Sequence, residues 1–586
     1  MNVADFQRQL EETEKGYLRD IENAAKGVGK ITPVVAIGSY ARFLAEIKGD
    51  NDRAMTFYER MEKAVGVEQK AIAEQTKDLD DIDRKLQVVS AHCIYLGSFA
   101  QFLAGECNDV DRAEDMYQRV LSLNPEDALA LGNYATLLHR YRKKYDEAEK
   151  YFNLAIKAHP SHASILVKFG NFKKHVKRDY KGAEACYVQA IGANPSNPDA
   201  LGNYAVLLHG TLQRYDDADT YYRRAIEADG THVNNIGNYA LFLADVKYDY
   251  EEAERMYKKA IGLDPKHANS LYNYGVMLDS TKKDYKSAEK YYRLAVSANR
   301  KHAFALYNLA VLLEEVKKDY DGAEKYFQLS IEANPNDPLS LGDYASFLKN
   351  IKKEFDKAEE MYKRSLKADP TSAAVHYNYA NLLKHTRKNY ESAEHHYRRA
   401  IQLDETHADA LGNLANLLAD VYKKYDDAES FYRKAIRVAP KHADNLGNFA
   451  DFMSDVRKEV NLASKLYKQA IEANPKHPYN LHNYAQFVLT TRHDYRAAEK
   501  LLRQALEADP NDGSCMSLLA MIMWEYYEEQ PVDKVQELLE KVHVLHPKDT
   551  TNMVRLASFY EQVKGDKRKA KELTSKVERI KKREGR

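Results

Sequence analysis

The sequence has few of the residues that would fix a fold covalently. Its 586 residues contain only four cysteines, which are Cys93, Cys107, Cys186 and Cys515. These show no paired spacing, so neither a disulfide framework nor a zinc site is indicated. We expect free thiols in a cytoplasmic protein.

Membrane and targeting segments are also absent from the pattern. No apolar run approaches the ~20 residues that a helix needs to cross a bilayer. The opening segment, MNVADFQRQLEETEKGYLRD, is polar and carries acids, which argues against a signal or transit peptide. Asn2 stands where N-myristoylation requires glycine. We therefore expect no membrane insertion.

Neither sign of charge dominates the chain. It has 88 Lys and Arg residues against 88 Asp and Glu residues, so the formal net charge is zero at pH 7. Such a chain has no global field that would attract nucleic acid or an anionic membrane. The sequence also lacks a Walker A loop, a GxGxxG turn, an HExxH helix and a GxSxG elbow. We expect no enzymatic activity, no cofactor and no metal site.

One helical pattern fills most of the chain, and residues 411–440 show it clearly. The first stripe follows the i, i+3, i+4, i+7 spacing of one helix face, at Leu411, Leu414, Ala415 and Leu418. After a KK turn, a second stripe runs from Tyr425 until Pro440 ends it. Two such helices make an αα-hairpin, which must stack on neighbours to bury its apolar stripes.

The hairpin recurs with a fixed period of 35 residues. The small residue of its first helix falls at Ala100, Ala135, Gly170, Ala205, Ala240, Gly275, Ala310, Ala345, Ala380, Ala415, Ala450, Ala485 and Ala520. Outlying copies centre on Ala41 and Ala557. A fixed period in this range is typical of a solenoid. The sequence therefore predicts an all-α chain of fifteen hairpins.

The copies divide the chain into five segments. We expect a polar N-terminal helix in 1–33, a first hairpin in 34–65, a helical insertion in 66–92, a tandem array in 93–547, and a degenerate final hairpin with a basic cap in 548–586. We interpret the insertion as an extra helix that caps the array, with docking of a partner as the alternative. The basic tail is expected to be a solvated cap; a localisation signal or a site for an acidic partner is the alternative.

The second helices indicate which repeat family the chain resembles. YDEAEKYFNLAIKAHP (145–160) and YEEAERMYKKAIGLDP (250–265) resemble the tetratricopeptide repeat, or TPR. In residues 411–440 the matching positions are Leu411, Leu414, Ala415, Tyr425, Ala428, Tyr432, Ala435 and Pro440. The TPR period is 34 residues, so this chain has one extra residue, placed in the turn between the helices. The pentatricopeptide repeat has the longer period but lacks the terminal Pro and the AE-x-YY pattern. The resemblance implies a right-handed superhelix with a concave face lined by first helices.

Histidine recurs just before the first helices, at His162, His232, His267, His302, His407, His442 and His477. Neighbouring copies lie one repeat apart, or about two helix spacings of 8–10 Å each. A metal ion needs its histidine ligands within about 2.0–2.1 Å, so adjacent copies cannot share one ion. We expect these residues to pack against the helix starts or to cap them.

An asparagine recurs two positions past the opening leucine and points away from the core stripe. The members are Asn133, Asn203, Asn238, Asn273, Asn308, Asn378, Asn413, Asn448 and Asn483. Asn is a mediocre helix former, so helix propensity does not explain them. The position three further on varies freely, from Thr136 and Asn171 to Val206 and Asp451.

A row of carboxamides can pair with the backbone of an extended peptide. The row resembles the asparagine ladder of the TPR arrays in O-linked GlcNAc transferase and kinesin light chain, which implies a peptide-binding concave face. The alternative is that each asparagine bonds to an adjacent repeat or helix.

Two further sets of residues on this face suggest what the ligand looks like. Four consecutive apolar positions are Val206, Leu241, Val276 and Val311, and an acidic group further on comprises Asp409, Asp420, Asp444, Asp451 and Asp455. Together they predict a ligand with an apolar segment followed by Lys or Arg. The carboxylate clamp of chaperone-binding TPR proteins needs Lys or Arg in the groove, whereas the positions beside the ladder here are Gly or Tyr, such as Gly202, Tyr272 and Gly412. That departure argues against a chaperone-tail receptor.

The sequence thus predicts a non-enzymatic interaction scaffold that binds extended peptides or partner subunits in a concave groove. We expect it to belong to a larger assembly, such as a ciliary, transport or cytoskeletal complex. Two alternatives stay open: a targeting subunit of a separate catalytic chain, and a helical-repeat RNA-binding protein, which the zero net charge disfavours.

Overall fold

The computed structural model describes residues 3–26, 28, 31–74, 79–526 and 531–584. Within these residues all regular secondary structure is helical and no strand occurs. The chain divides into two compact units, Met1–Leu312 and Leu313–Arg586. The predicted all-α class, built from consecutive helical hairpins, is confirmed.

The first unit contains sixteen described α-helices: α1 (Val3–Ala25), α2 (Pro33–Arg42), α3 (Asn51–Glu74), α4 (Leu79–Gly105), α5 (Val110–Leu123), α6 (Ala128–Leu137), α7 (Tyr145–Ala158), α8 (Ala163–Phe172), α9 (Tyr180–Ala193), α10 (Pro198–Leu207), α11 (Tyr215–Ala228), α12 (Val233–Phe242), α13 (Tyr250–Leu263), α14 (Ala268–Ser280), α15 (Tyr285–Ala298) and α16 (Ala303–Leu312). After α1, each even-numbered helix is the first helix of a repeat.

The second unit continues the series with fifteen described α-helices: α17 (Tyr320–Ala333), α18 (Pro338–Phe347), α19 (Phe355–Ala368), α20 (Ala373–Leu382), α21 (Tyr390–Leu403), α22 (Ala408–Asp420), α23 (Tyr425–Val438), α24 (Ala443–Phe452), α25 (Val460–Ala473), α26 (Pro478–Arg492), α27 (Tyr495–Ala508), α28 (Gly513–Glu525), α29 (Val532–Leu545), α30 (Thr550–Gln562) and α31 (Lys567–Glu584). Here too the even-numbered helices are first helices.

Small residues let the two helices of a hairpin approach closely. In the α22–α23 hairpin, Ala415, Ala428 and Ala435 are fully buried, and Tyr432 is 3% exposed. First helix α22 packs against its partner α23 and also against the next first helix, α24. Each hairpin therefore buries its stripes partly within itself and partly against a neighbour, as the sequence requires.

The extra residue of the 35-residue period lies at the end of the first helix. In nine described repeats that helix closes with a π-helical turn, as at Leu383–Arg387 and Leu243–Lys247. A residue with positive φ follows, such as Lys388 at 55° or Tyr248 at 55°. The Asn389 backbone N–H then donates to the Leu383 carbonyl at 3.0 Å. A π turn accommodates one added residue without breaking the helix, so the hairpin keeps its geometry.

The segment 66–92 does not form a separate capping helix in the described residues. Instead, α3 continues to Glu74 and α4 begins at Leu79, so the inserted residues lengthen two neighbouring helices. Residues 75–78, where the insertion was also expected to be helical, lie outside the described residues. The same holds for 1–2, 27 and 29–30 of the N-terminal segment, 527–530 of the array and 585–586 of the basic tail.

One stretch contradicts the expectation about apolar runs. Within the part of the chain that the structure describes, Leu86–Gly105 is long and apolar enough to cross a membrane by length and composition. It belongs to α4, which packs against α2 and α5, and 44% of the stretch is buried inside the protein. A core helix passes the same test, so this is weak evidence for a membrane span.

Candidate functional site

The nine asparagines predicted to form a ladder all lie on first helices and are half-buried. Four of them bond to another repeat, namely Asn133, Asn308, Asn413 and Asn483. Asn203 instead donates to the Asp199 carbonyl of its own helix at 2.8 Å. The remaining four have no hydrogen-bond partner among the described residues; they are Asn238, Asn273, Asn378 and Asn448.

Three of the bonds between repeats follow one pattern, in which the asparagine donates to the preceding repeat, whereas Asn133 accepts from Lys168 of the next repeat. Asn308 Nδ2 donates to the Tyr272 hydroxyl at 3.3 Å. Asn413 Nδ2 does the same to the Tyr377 hydroxyl, also at 3.3 Å. Asn483 Nδ2 reaches the preceding repeat too, at the Asp451 carboxylate. In these copies the carboxamide braces the preceding repeat, whereas the four unpaired copies leave it available.

In most repeats the position three past the ladder does not vary freely, because it faces a tyrosine of its own second helix. Where this position is Asn, it accepts from the tyrosine hydroxyl 16 residues later: Tyr187 donates to Asn171 and Tyr397 to Asn381, both at 2.6 Å. The hydroxyl oxygens of Ser346 and Tyr362, also 16 residues apart, lie 3.0 Å from each other. The residue type at this position therefore reflects an internal contact, a pairing that comparison of the repeats with one another would reveal.

Where this position is apolar, the tyrosine turns to another residue of the first helix. Next to Val276, the Tyr292 hydroxyl donates to Asp279 Oδ2 at 3.1 Å. In the Val206 repeat the alternative partner is His209 Nδ1, 3.4 Å from the hydroxyl of Tyr222. All four predicted apolar positions are half-buried. They are thus partly engaged in packing.

Tyr257 has neither kind of partner. The two residues that face it are Leu241 and Ala244, and its hydroxyl is buried without a hydrogen bond. Burial raises the pKa of Tyr257, and the Asp245 carboxylate adds to the effect. A pocket of about 420 Å³ opens beside this ring, and Asn273 also lines it.

The predicted acidic group is only partly available to a ligand. His442 Nε2 lies 3.1 Å from Asp409 Oδ1, and His477 Nε2 lies 2.8 Å from Asp444 Oδ1. Asp451 accepts bonds from Tyr479, Asn483 and Tyr467. Burial raises its pKa, and these bonds lower it. Asp420 and Asp455 are exposed, and no hydrogen bond or ion pair engages them in the described residues.

Most of the recurring histidines cap the helices that follow them, as expected. Nδ1 accepts the backbone N–H three residues on, at 3.1 Å for His302 and 3.3 Å for His267. The other ring nitrogen reaches the preceding repeat, where His267 Nε2 lies 2.9 Å from Asn234 Oδ1. His162 makes no such cap. No group of three or more His, Cys, Asp or Glu side chains suited to a metal occurs in the described residues.

The glycines beside the ladder do not line the groove. They are buried where successive first helices meet, and a Cβ at Gly412 would lie 1.9 Å from Asn445 Oδ1. Asn445 Nδ2 in turn donates to the Ala408 carbonyl at 2.9 Å. Because these glycines are buried between helices, the absence of Lys or Arg at the glycine positions carries no information about the charge of the groove.

Cations do occur on the first helices, at positions that the sequence analysis missed. Lys174, Lys349 and Lys384 are half-buried and form no ion pair among the described residues. Burial lowers the pKa of each ammonium group. All three follow the ladder position at the same spacing, which is the signal that could have identified them. Carboxylates are the groups that such lysines attract.

A family profile described as "Tetratricopeptide repeat" matches residues 104–163, 177–232, 248–303 and 282–338. A second, described as "Cilia and flagella-associated protein 70 middle TPR-like domain", matches residues 349–451. The chain is a tetratricopeptide-repeat protein. No curated protein sequence matches it as a relative.

Three solved structures are similar to parts of this chain. Yeast Tom70 has 19% identity to this chain and a TM-score of 0.39, with 77% of this chain and 99% of Tom70 covered. Pseudomonas aeruginosa PilF has 23% identity and a TM-score of 0.32, covering 36% and 94%. YrrB, described as a TPR protein with an unusual peptide-binding site, has 26% identity and a TM-score of 0.28, covering 32% and 95%. These TM-scores are too low to support a functional argument.

TPR families in general act through protein binding and are not enzymes. The repeats identified here therefore make the chain a protein-interaction scaffold. Which partner it binds, and where, depends on the side chains described above.

Proposed function

We propose that this TPR protein binds an extended segment of a partner protein along the face formed by its first helices. The observation that carries the proposal is the set of ladder carboxamides without an internal partner: Asn238, Asn273, Asn378 and Asn448. Each is half-buried, so its surroundings already restrict the side chain. A carboxamide offers both a donor and an acceptor, which suits the backbone of an extended peptide.

The residues near these asparagines support a partner segment with apolar and basic residues. In the first unit, Leu241 and Val276 lie close to Asn238 and Asn273, and Asp245 adds a carboxylate. In the second unit, Asp420 and Asp455 offer exposed carboxylates, whereas Lys349 and Lys384 favour an acidic stretch of the partner.

Peptide binding can be tested on the full-length chain with a peptide selected from a random display library. Asn238→Ala combined with Asn273→Ala removes two unpaired carboxamides, and Ala keeps the helices because it is the better helix former. With each lost bond contributing about 0.5–1.5 kcal/mol, binding should weaken by about 1–3 kcal/mol in calorimetry. The melting temperature should not fall.

The matched control is Asn308→Ala combined with Asn413→Ala, since both residues brace a neighbouring repeat. This pair should lower the melting temperature instead. Unchanged peptide affinity in the Asn238 and Asn273 variant would contradict the proposal. The proposal would also be contradicted if both variants lost the same affinity and the same stability, because the loss of binding would then reflect unfolding.

We further propose that the chain works in the cytoplasm, inside a larger assembly of a cilium. The match of residues 349–451 to a profile named for a cilia and flagella-associated protein supports the ciliary setting, and four free cysteines support the cytoplasm. Fluorescent tagging in a ciliated cell tests both: signal along the cilium is expected, and signal confined to another compartment would contradict them.

A further inference from the structure

The pocket beside Tyr257 is built from three elements of the first unit: α12 with its π turn, α13 and α14. Its volume is about 420 Å³. Leu241, Val276 and Met277 give it apolar walls. Tyrosine rings make up much of the rest, since Tyr248, Tyr250, Tyr257 and Tyr272 all line it. A ligand would therefore meet aliphatic and aromatic surfaces together.

Some polar groups of the pocket are bonded inside the protein, as the Tyr272 hydroxyl is to Asn308 and the Ser280 hydroxyl to the Val276 carbonyl, but others are not. The lining contains one carboxylate, Asp245, and no Lys, Arg or His. Asp245 is exposed and forms no ion pair among the described residues. The Tyr257 side chain is fully buried, and its hydroxyl has no hydrogen-bond partner. Asn273, which also lines the pocket, is an unpaired ladder residue.

Equivalent tyrosines show that this gap is not a general property of the repeat. Tyr397 donates to Asn381 at 2.6 Å, and Tyr292 donates to Asp279 at 3.1 Å. In the Tyr257 repeat both facing positions are apolar, at Leu241 and Ala244. A buried hydroxyl without a hydrogen-bond partner destabilises the folded state, so a ligand that supplies a partner to Tyr257 gains from that bond.

We propose that this pocket binds the ammonium group of a lysine side chain. The aliphatic stem of lysine packs along Leu241 and Val276, as long basic side chains do on apolar surfaces. The ammonium group is attracted by tyrosine ring faces and by the Asp245 carboxylate, and it donates to the Tyr257 hydroxyl oxygen. The inference rests on the proposed function, in that the lysine belongs to the extended partner segment.

The probe is N-acetyl-lysine methylamide, titrated into the full-length protein and followed by saturation-transfer NMR. Its control is N-acetyl-norleucine methylamide, which keeps most of the aliphatic stem and lacks the charge. We expect the lysine compound to bind with a Kd on the order of 1 mM and about three- to tenfold more tightly than the control. Equal binding of the two compounds, or no binding of the lysine compound at ~20 mM, would overturn the proposal.

Two variants test the groups involved. Asp245→Asn removes the charge at an exposed, unpaired position, so folding should be kept and the preference for lysine over norleucine should be lost. Leu241→Asn places the carboxamide that Asn381 supplies elsewhere next to Tyr257. It should leave the melting temperature unchanged or raised, and it should weaken lysine binding. A persistent preference for lysine in Asp245→Asn would refute the assignment even if Leu241→Asn fails to fold.

The outcomes separate this site from the wider function. The lysine titration involves no partner protein, so its failure overturns the pocket and leaves the proposed function standing. If the Asn238 and Asn273 variant binds the peptide as tightly as the unchanged protein, the proposed function is overturned and the lysine pocket stands. Equal affinity for the N-acetyl methylamides of arginine and lysine would reject lysine as the specific occupant.

Discussion

Two repeats show how one scaffold supports different surfaces: residues 233–263 of the first unit and 373–403 of the second. Both keep the ladder residue, at Asn238 and Asn378, and the buried tyrosine, at Tyr257 and Tyr397. Among the positions at which their first helices differ, Leu241, Ala244 and Asp245 correspond to Asn381, Lys384 and His385.

The difference concerns which polar groups are satisfied inside the protein. In the second repeat Asn381 accepts from Tyr397 at 2.6 Å, and the groove side carries the Lys384 ammonium group. In the first repeat Tyr257 has no partner, and the groove side carries a carboxylate. The buried framework is therefore common to both repeats, whereas the charge on the groove side and the hydrogen-bonding of the tyrosine hydroxyl differ between them.

The largest effect is expected at Gly237 of the first repeat, whose counterpart in the second repeat is Tyr377. A Cβ on Gly237 would lie 2.4 Å from Ser270 Oγ, which is buried and 2.8 Å from His267 Nδ1. Gly237→Ala should therefore destabilise this region by about 1–3 kcal/mol, measured by hydrogen exchange of α12 to α14.

Adding Ser270→Ala should recover most of that loss, because Ala410 stands opposite Tyr377 in the second repeat. Gly97→Ala is the control, since its Cβ would meet nothing within 4 Å. That change should stabilise α4 by up to about 1 kcal/mol. A Gly237→Ala protein with unchanged exchange would disprove the close packing.

The next largest difference in stability between the two repeats is expected when the tyrosine hydroxyl is removed. Tyr397→Phe loses the bond to Asn381 and should cost about 0.5–1.5 kcal/mol of local stability. Tyr257→Phe loses no bond and removes a buried, unpaired hydroxyl, so it should be neutral or stabilising. Phe152 and Phe327 already occupy this position in other repeats. Equal costs in the two variants would mean that Tyr257 has a partner in solution.

A smaller effect is expected at the positive-φ residue that follows most of the described first helices. Lys388 has φ of 55°, a backbone conformation that glycine adopts without strain. Lys388→Gly should therefore stabilise the second repeat by about 0.5 kcal/mol, which is the relief of strain minus the greater conformational entropy of glycine in the unfolded chain. Tyr248→Gly should give no such gain, because the ring contacts Tyr250 at a centroid distance of 6.5 Å. Gly49→Ala provides the reverse test and should destabilise. Thermal melts compare all three.

The smallest effect is a difference in pH dependence. Although the Asp245 side chain is exposed, partial desolvation by its neighbours raises its pKa. The folded state therefore holds that proton more tightly, and stability rises as pH falls through the folded-state pKa. Burial and Lys384 lower the pKa of His385 below its ordinary 6.5, so its contribution is present above pH 6.5 and is lost as pH falls.

Asp245→Asn and His385→Asn should therefore change the slope of stability against pH in opposite directions. Each change should stay below about 0.5 kcal/mol, because water screens both exposed groups. Urea titrations between pH 4 and 7.5 measure the slopes, and slopes of the same sign would contradict the assignment.

The repeat period was enough to predict the hairpins and their number, because small and aromatic residues recur at fixed positions. It was not enough to place the helix ends in 66–92, since residues 67–92 contain neither Gly nor Pro to mark a break. Partners of the ladder could not be predicted, because residues such as Asn308 and Tyr272 meet only when repeats stack. The tyrosine pairs were within reach, because Asn and Tyr recur 16 residues apart in several repeats, as at Asn171 and Tyr187 and at Asn381 and Tyr397.

The capping histidines give the chain a direction. His267 accepts the backbone of its own helix, but its ring is held by Asn234 of the repeat before, and His302 is held in the same way by Asn269. During synthesis from the N-terminus, each anchoring residue leaves the ribosome before the histidine that needs it. Repeats can therefore be completed in the order of translation, and shortening this part of the chain from its C-terminal side removes no anchor from the repeats that remain.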